Sequence, residues 1–184
     1  MYKSLIAVTN RQLCERDFLT QLRRVCAQNV HSVLLREKDL SEPDYTALAR
    51  QVQQICRETD TPLTIHGHPE TARQLGLSRL HLPLPQLRQL DDPQSWDWLG
   101  TSCHSVEQMQ EAVSLGVNYI FLGNIFETDC KPGLPGKGLE LLRTVCAQCP
   151  VPVFAIGGIS QSNLPEVLAA GAAGGCMMSG FMRM

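Results

Sequence analysis

Two short stretches late in the sequence have the composition of an anion site. AIGGIS (155–160) puts Gly157 and Gly158 at what reads as a strand-to-helix turn, and MMSG (177–180) puts Ser179 and Gly180 at the next one. Bare backbone N–H groups beside a helix start attract negative charge, so phosphate is the expected ligand. The plainer alternative is that the two glycines only permit a tight turn. Arg36-Glu37-Lys38 brings two cations to another strand end. They suit an anionic substrate, although a solvated charge cluster would look the same. Strand alternation points Glu37 away from its two neighbours. The segment 127–138, ETDCKPGLPGKG, is long for a connection and carries Lys131 and Lys137. It is either a loop that closes over a ligand or plain surface. His66, His68, His81 and His104 supply rings that titrate near neutral pH. No carboxylate obviously joins them, so no metal is expected there. His31 reads as structural.

Such groups need a frame that brings distant strand ends together. Short apolar or β-branched runs recur at 4–9, 32–37, 62–67, 78–83, 97–102, 118–123, 152–157 and 174–179. They start roughly 24 residues apart on average, room for a strand, a helix and two short loops. Helix patterns lie between them. Residues 17–29 put Phe18, Leu19, Leu22, Val25 and Cys26 on one stripe. A second helix runs from Pro43 to about Arg57, with Ser41 or Glu42 at its cap. A third opens at 104–107, turns Val106, Met109, Ala112 and Val113 inward, and ends at Gly116. Residues 162–170 precede Gly171 in the same way. Eight strand–helix units predict a closed (βα)8 TIM barrel with parallel strands, and a doubly wound open sheet is the alternative. Barrel sites form at the C-terminal strand ends. There the sequence offers Arg36, Lys38, His66, His104, Asn124, Gly157, Gly158, Ser179 and Gly180. Only residues 181–184 follow the eighth run, so the last helix is missing or truncated. A strip beside the first and last strands is then expected to be covered by another subunit, giving a homo-oligomer, or to stay exposed as an apolar patch.

The 184 residues suffice for one domain, 1–184. With 43% hydrophobic and 18% charged residues, the chain is not a disordered one. A net charge of −2 with scattered Lys and Arg argues against nucleic acid. No apolar run is long enough to span a membrane, and the apolar stretch at 5–8 is too short for a signal-peptide core. A cytoplasmic protein with reduced cysteines is expected. Of the eight cysteines only Cys146 and Cys149 form a C-x-x-C, so there is no zinc ribbon. That pair falls at a helix end whose dipole does not favour a thiolate. The cysteines read as small, half-buried hydrophobes.

LLREKDL (34–40), LGNIFETDCKPGLPGKGLELL (122–142), VPVFAIGGIS (151–160) and MMSG (177–180) together resemble the thiamine phosphate synthase superfamily, in order and spacing over almost the whole chain. The resemblance implies one of two activities. Synthases join a pyrimidine diphosphate to a thiazole phosphate using magnesium. They typically show Asn-Asp after the third strand and H-L-G-Q-x-D after the fourth. Here those places read His66-Gly67 and His81-Leu82-Pro83-Leu84-Pro85, without the acids. The other branch is the thiazole tautomerase, an isomerase acting on a thiazole carboxylate phosphate. Ile65-His66-Gly67, Ser102-Cys103-His104-Ser105 and the 126–131 segment resemble that branch. Its usual Gly-His after the sixth strand is Gly123-Asn124 here, and asparagine does not titrate.

The resulting expectation is a tautomerase of thiamine biosynthesis that needs no cofactor and takes a small phosphorylated thiazole, with no nucleic-acid or membrane partner. Phosphate would sit on Gly157, Gly158, Ser179 and Gly180. Thr128 and Lys131 would close over the ring or its carboxylate, with Arg36 and Lys38 on an anionic group opposite. His104, His66 or Cys130 would carry the proton in place of Asn124. A thiazole-phosphate binder without turnover and a thiamine phosphate synthase are the alternatives.

Overall fold

Leu5–Val8, Ser32–Leu35 and Tyr119–Gly123 are buried at every residue. Parallel strands covered on both faces have this character. The structure, a computed structural model, describes residues 2–128 and 133–184. The strands are β1 (Leu5–Val8), β2 (Ser32–Leu35), β3 (Leu63–His66), β4 (Arg79–Pro83), β5 (Trp98–Cys103), β6 (Tyr119–Gly123), β7 (Val153–Ile156) and β8 (Gly174–Met177). They are hydrogen-bonded in that order as a closed barrel, so the expected (βα)8 barrel forms and the open sheet does not. Each strand leads into a helix: α1 (Phe18–Cys26), α2 (Glu42–Glu58), α3 (Pro69–Gln74), α4 (Leu84–Leu87), α5 (Val106–Ser114), α6 (Gly138–Gln148), α7 (Leu164–Ala169) and α8 (Ser179–Met182).

Side chains fix the main helix starts. The Asp17 carboxylate accepts the Thr20 N–H at 2.9 Å at the start of α1. Ser41 Oγ accepts from Asp44 N–H at 3.3 Å, with Pro43 in the first turn of α2. Ser105 Oγ accepts from Gln108 N–H at 3.3 Å and opens α5. Each cap satisfies an amide that has no partner within the helix. The inner face of α5 is narrower than expected. Met109 and Ala112 are buried, while Val106 and Val113 are only half-buried.

The chain divides into two compact units, one reaching to His81 and including Met178–Met184, the other Leu82–Met177. In the first, α1 packs on α2, and the core includes Leu22, Val25, Val52 and Ile55. In the second, Phe121 and Phe154 lie edge-on at 6.3 Å, with Tyr119 5.5 Å from Phe121.

The last helix is truncated to four residues, as expected. The large side chains of that turn are buried in the first unit. Phe181 and Met182 are 0% and 1% exposed. Phe181 packs against the Tyr2 ring at 5.2 Å, and its carbonyl accepts from Gln21 Nε2 at 2.6 Å. Among the described residues only Leu134 and Leu168 are large exposed hydrophobics. No described helix is long and apolar enough to cross a membrane.

Candidate active site

The first unit gathers cations and histidines at the C-terminal ends of β2, β3 and β4. Glu37 is buried, and its carboxylate accepts from Thr9 Oγ1 at 2.7 Å and from Arg11 N–H at 3.1 Å. Arg11 Nη1 adds a 3.2 Å contact and reaches on to Asp39 at 2.6 Å. The bond to Arg11 holds the Asp39 carboxyl down at about 2. Arg36 is half-buried and Lys38 exposed on either side of Glu37, as alternation predicted. Arg36 N–H donates to Thr9 Oγ1 at 2.9 Å.

Strand register carries this charge to the histidines. Leu35 pairs with Ile65, and His66 with His81, so Arg36 follows directly beside His66. The His66 and His81 rings stack at 5.6 Å and 19°. Burial first, and then the charges of Arg36 and Lys38, push His66 down to about 3. Burial, His66 and Arg36 hold His81 well below its usual value. Both rings are therefore neutral at pH 7. Tyr45, which the sequence reading passed over, organises this corner. Its hydroxyl donates to Leu35 C=O at 2.6 Å and accepts from His66 N–H at 3.3 Å. The His68 ring stacks on Tyr45 at 3.8 Å, and its Nδ1–H donates to Glu42 Oε2 at 2.6 Å. A polar-tipped aromatic on the buried stripe with Ala49 and Val52 was the available signal for Tyr45.

The second unit gathers His104, Asn124, Gly157 and Gly158. His104 follows β5, and its Nδ1 hydrogen-bonds Gly123 C=O. A carbonyl only accepts, so Nδ1 carries a proton. The His104 backbone is held at both ends. Gln108 Oε1 accepts its N–H at 2.8 Å, and Lys137 Nζ donates to its carbonyl. Gln108 was not singled out from the sequence, though Ser105-x-x-Gln108 is a capping pattern that points to it. Asn124 is 5% exposed, and its amide faces the carbonyls of Phe126 and Pro135 at 3.4 Å. Asn124 C=O accepts from Lys137 N–H at 2.9 Å.

Gly157 and Gly158 both have positive φ, 97° and 65°. A Cβ on Gly157 would lie 2.4 Å from Asn124 Cβ, and one on Gly158 2.4 Å from Glu127 O. Glycine is needed here both for conformation and for close approach. The carbonyls of Ile156, Gly157 and Gly158 accept from Ile125 N–H, Phe126 N–H and Asn163 Nδ2. The N–H groups of Gly158 and Ile159 meet no acceptor among the described residues. Ser179 and Gly180 are exposed at the start of α8, in the first unit. Thr128 is half-buried, while Cys130 and Lys131 lie outside the described residues. Burial pushes the Cys103 thiol up to about 12 and Cys146 to about 11.

Magnesium, which the synthase resemblance implies, takes oxygen ligands in near-octahedral geometry. The ends of β3 and β4 offer His66, Gly67, His68 and Pro83, and no carboxylate. Glu37 is committed to Thr9 and Arg11, and Glu42 to His68 and Thr71. The stacked rings of His66 and His81 run nearly parallel and do not converge on one point. Among the described residues no three His, Cys, Asp or Glu form a cluster able to hold a metal ion. The donor set does not fit magnesium.

The family described as thiamine monophosphate synthase matches residues 5–181. Thiamine-phosphate synthase 2 of Streptococcus pneumoniae is 31% identical over 185 residues, 97% of this chain and 87% of that protein. Thiamine-phosphate synthase of Syntrophomonas wolfei is 32% identical over 186 residues, covering 97% and 88%. The solved thiamine phosphate pyrophosphorylase from Pyrococcus furiosus superposes with a TM-score of 0.84 at 25% identity, covering 96% of this chain and 86% of that one. These findings overturn the expected thiazole tautomerase, since the relatives are named for the synthase. The isomerase reading leaned on three short strand-end motifs, whereas the similarity sums over core and loops alike. Its extent shows that the chain belongs to the thiamine monophosphate synthase family.

Proposed function

We propose that this chain is a thiamine-phosphate synthase, which joins a pyrimidine carried on a diphosphate to a thiazole phosphate. The carrying observation is the near full-length similarity to relatives named for that activity. In the reaction the bond from the pyrimidine's methylene carbon to the diphosphate oxygen breaks. A bond from that carbon to the thiazole nitrogen forms, and diphosphate leaves with the electron pair. Arg36 and Lys38 hold the diphosphate as charge-assisted donors. The open N–H groups at Gly158 and Ile159, in the turn that Gly157 begins, receive the thiazole phosphate. Ser179 and Gly180 are further phosphate donors, and Thr128 adds a hydroxyl after β6. His104 Nε2 hydrogen-bonds a heteroaromatic substrate. No magnesium-mediated step is included, because the donors do not fit the ion.

This reaction does not shuttle a proton on carbon, so Asn124 is no obstacle to it. Its amide instead ties the end of β6 to the carbonyls of Phe126, Leu134 and Pro135. Complementation tests the reading. In bacteria lacking their own thiamine-phosphate synthase, this chain is expected to restore growth without thiamine, and Arg36→Gln to restore it poorly. Failure of the well-expressed, folded wild-type chain to support growth would contradict the reading.

A further inference from the structure

We infer that the diphosphate end of this site works without a divalent cation, with Arg36 and Lys38 supplying the positive charge beside the stacked His66–His81 pair. The inference rests on the synthase reading and concerns how that site holds its leaving group.

Three observations carry it. The first is that the carboxylates of Glu37 and Glu42, among the described residues, are already engaged. The buried carboxylate at the end of β2, Glu37, is bound by Thr9 Oγ1 at 2.7 Å and by Arg11 Nη1 at 3.2 Å. The Glu42 carboxylate is bound by His68 Nδ1 at 2.6 Å and Thr71 Oγ1 at 3.1 Å. The second is register. Pairing of Leu35 with Ile65 and of His66 with His81 brings Arg36 alongside both imidazoles. The third is the sign of the field. The charges of Arg36 and Lys38 reach His66, and that of Arg36 reaches His81, where they disfavour a further positive charge. A magnesium ion entering here meets cations and nitrogen donors, against its preference for carboxylate oxygen. A diphosphate entering here meets a guanidinium fork that matches phosphate oxygens and an ammonium that adds a point charge. The same charges oppose the metal and attract the leaving group.

Isothermal titration of the full chain with inorganic diphosphate, once in EDTA and once in excess magnesium, tests this directly. The expected result is binding in EDTA at least as tight as in magnesium. Arg36→Gln is expected to weaken binding in EDTA by about tenfold or more, the loss of a charge-assisted bond. Lys38→Gln, at an exposed position, is a second variant that does not disturb the core. Unchanged melting temperatures would separate lost binding from lost fold. Binding seen only with magnesium overturns the inference and leaves the synthase reading intact. No diphosphate binding in either buffer overturns both.

Discussion

His66 shows how much of a residue's behaviour comes from its surroundings. An isolated imidazole titrates near 6.5, but burial and the charges of Arg36 and Lys38 bring this one down to about 3. His81 is lowered too, by burial, by His66 and by Arg36, and His31 by burial and Arg79. The groups facing His66 are thus Arg36, Lys38, His68 and His81. In the window between 6.5 and about 3 the unfolded chain binds protons that the folded chain does not. Stability from His66 is then fully present above 6.5 and lost as pH falls through that window, by at most about 1.4 kcal/mol per pH unit. Proton NMR is expected to show no titration of His66 between pH 8 and pH 5, with urea midpoints level above about pH 6.5 and falling below it. A His66 midpoint near 6.5 would contradict this environment. The opposed directions of Arg36 and Glu37 were legible in the sequence, because alternation along a strand is local. The role of Asn124 was not. Its amide partners at Leu134 and Pro135 lie ten and eleven residues on, in a loop whose path no periodicity records.

At the scale of elements, the turn after β7 couples the phosphate candidate to the end of β6. Gly157 and Gly158 fit against Asn124, Phe126 and Glu127 with no room for a Cβ. The tight-turn and phosphate readings of these glycines are thus compatible, since the packing that demands glycine also leaves amides open. Gly158→Ala forces a side chain onto the Glu127 carbonyl at positive φ. The expected cost is about 2 kcal/mol, a melting temperature lower by about 6 °C. Weaker binding of thiazole phosphate should accompany it. An unchanged melt with unchanged binding would show that the turn relaxes freely. Strand positions were legible here because the runs at 118–123 and 152–157 are apolar and short. The face of α5 was less so. Val106 and Val113 fall on its apolar stripe, yet only Met109 and Ala112 are buried. Hydrophobic spacing gives a stripe but not how deeply a neighbour covers its edges.

At the scale of the molecule, eight strand runs separated by helix patterns foretold the closed barrel, and four remaining residues foretold a truncated last helix. What the sequence concealed is how deeply Phe181 and Met182 are buried in the first unit. Chain length counts helical turns and not side-chain volume. Phe181→Ala empties a fully buried site against Tyr2 and should cost about 3–5 kcal/mol, read as a urea midpoint shift. A loss below about 1 kcal/mol would mean that α8 contributes little to the fold. The branch of the family was misread for a related reason. Strand-end motifs are few residues long, and here they diverge from the synthase pattern at the places where it carries acids. The measurement that decides most is product formation by the purified chain given both the pyrimidine diphosphate and the thiazole phosphate. Thiamine phosphate and diphosphate are predicted to appear in equal amounts, well above the rate in buffer. No thiamine phosphate from the folded protein, with magnesium or without it, would contradict the account.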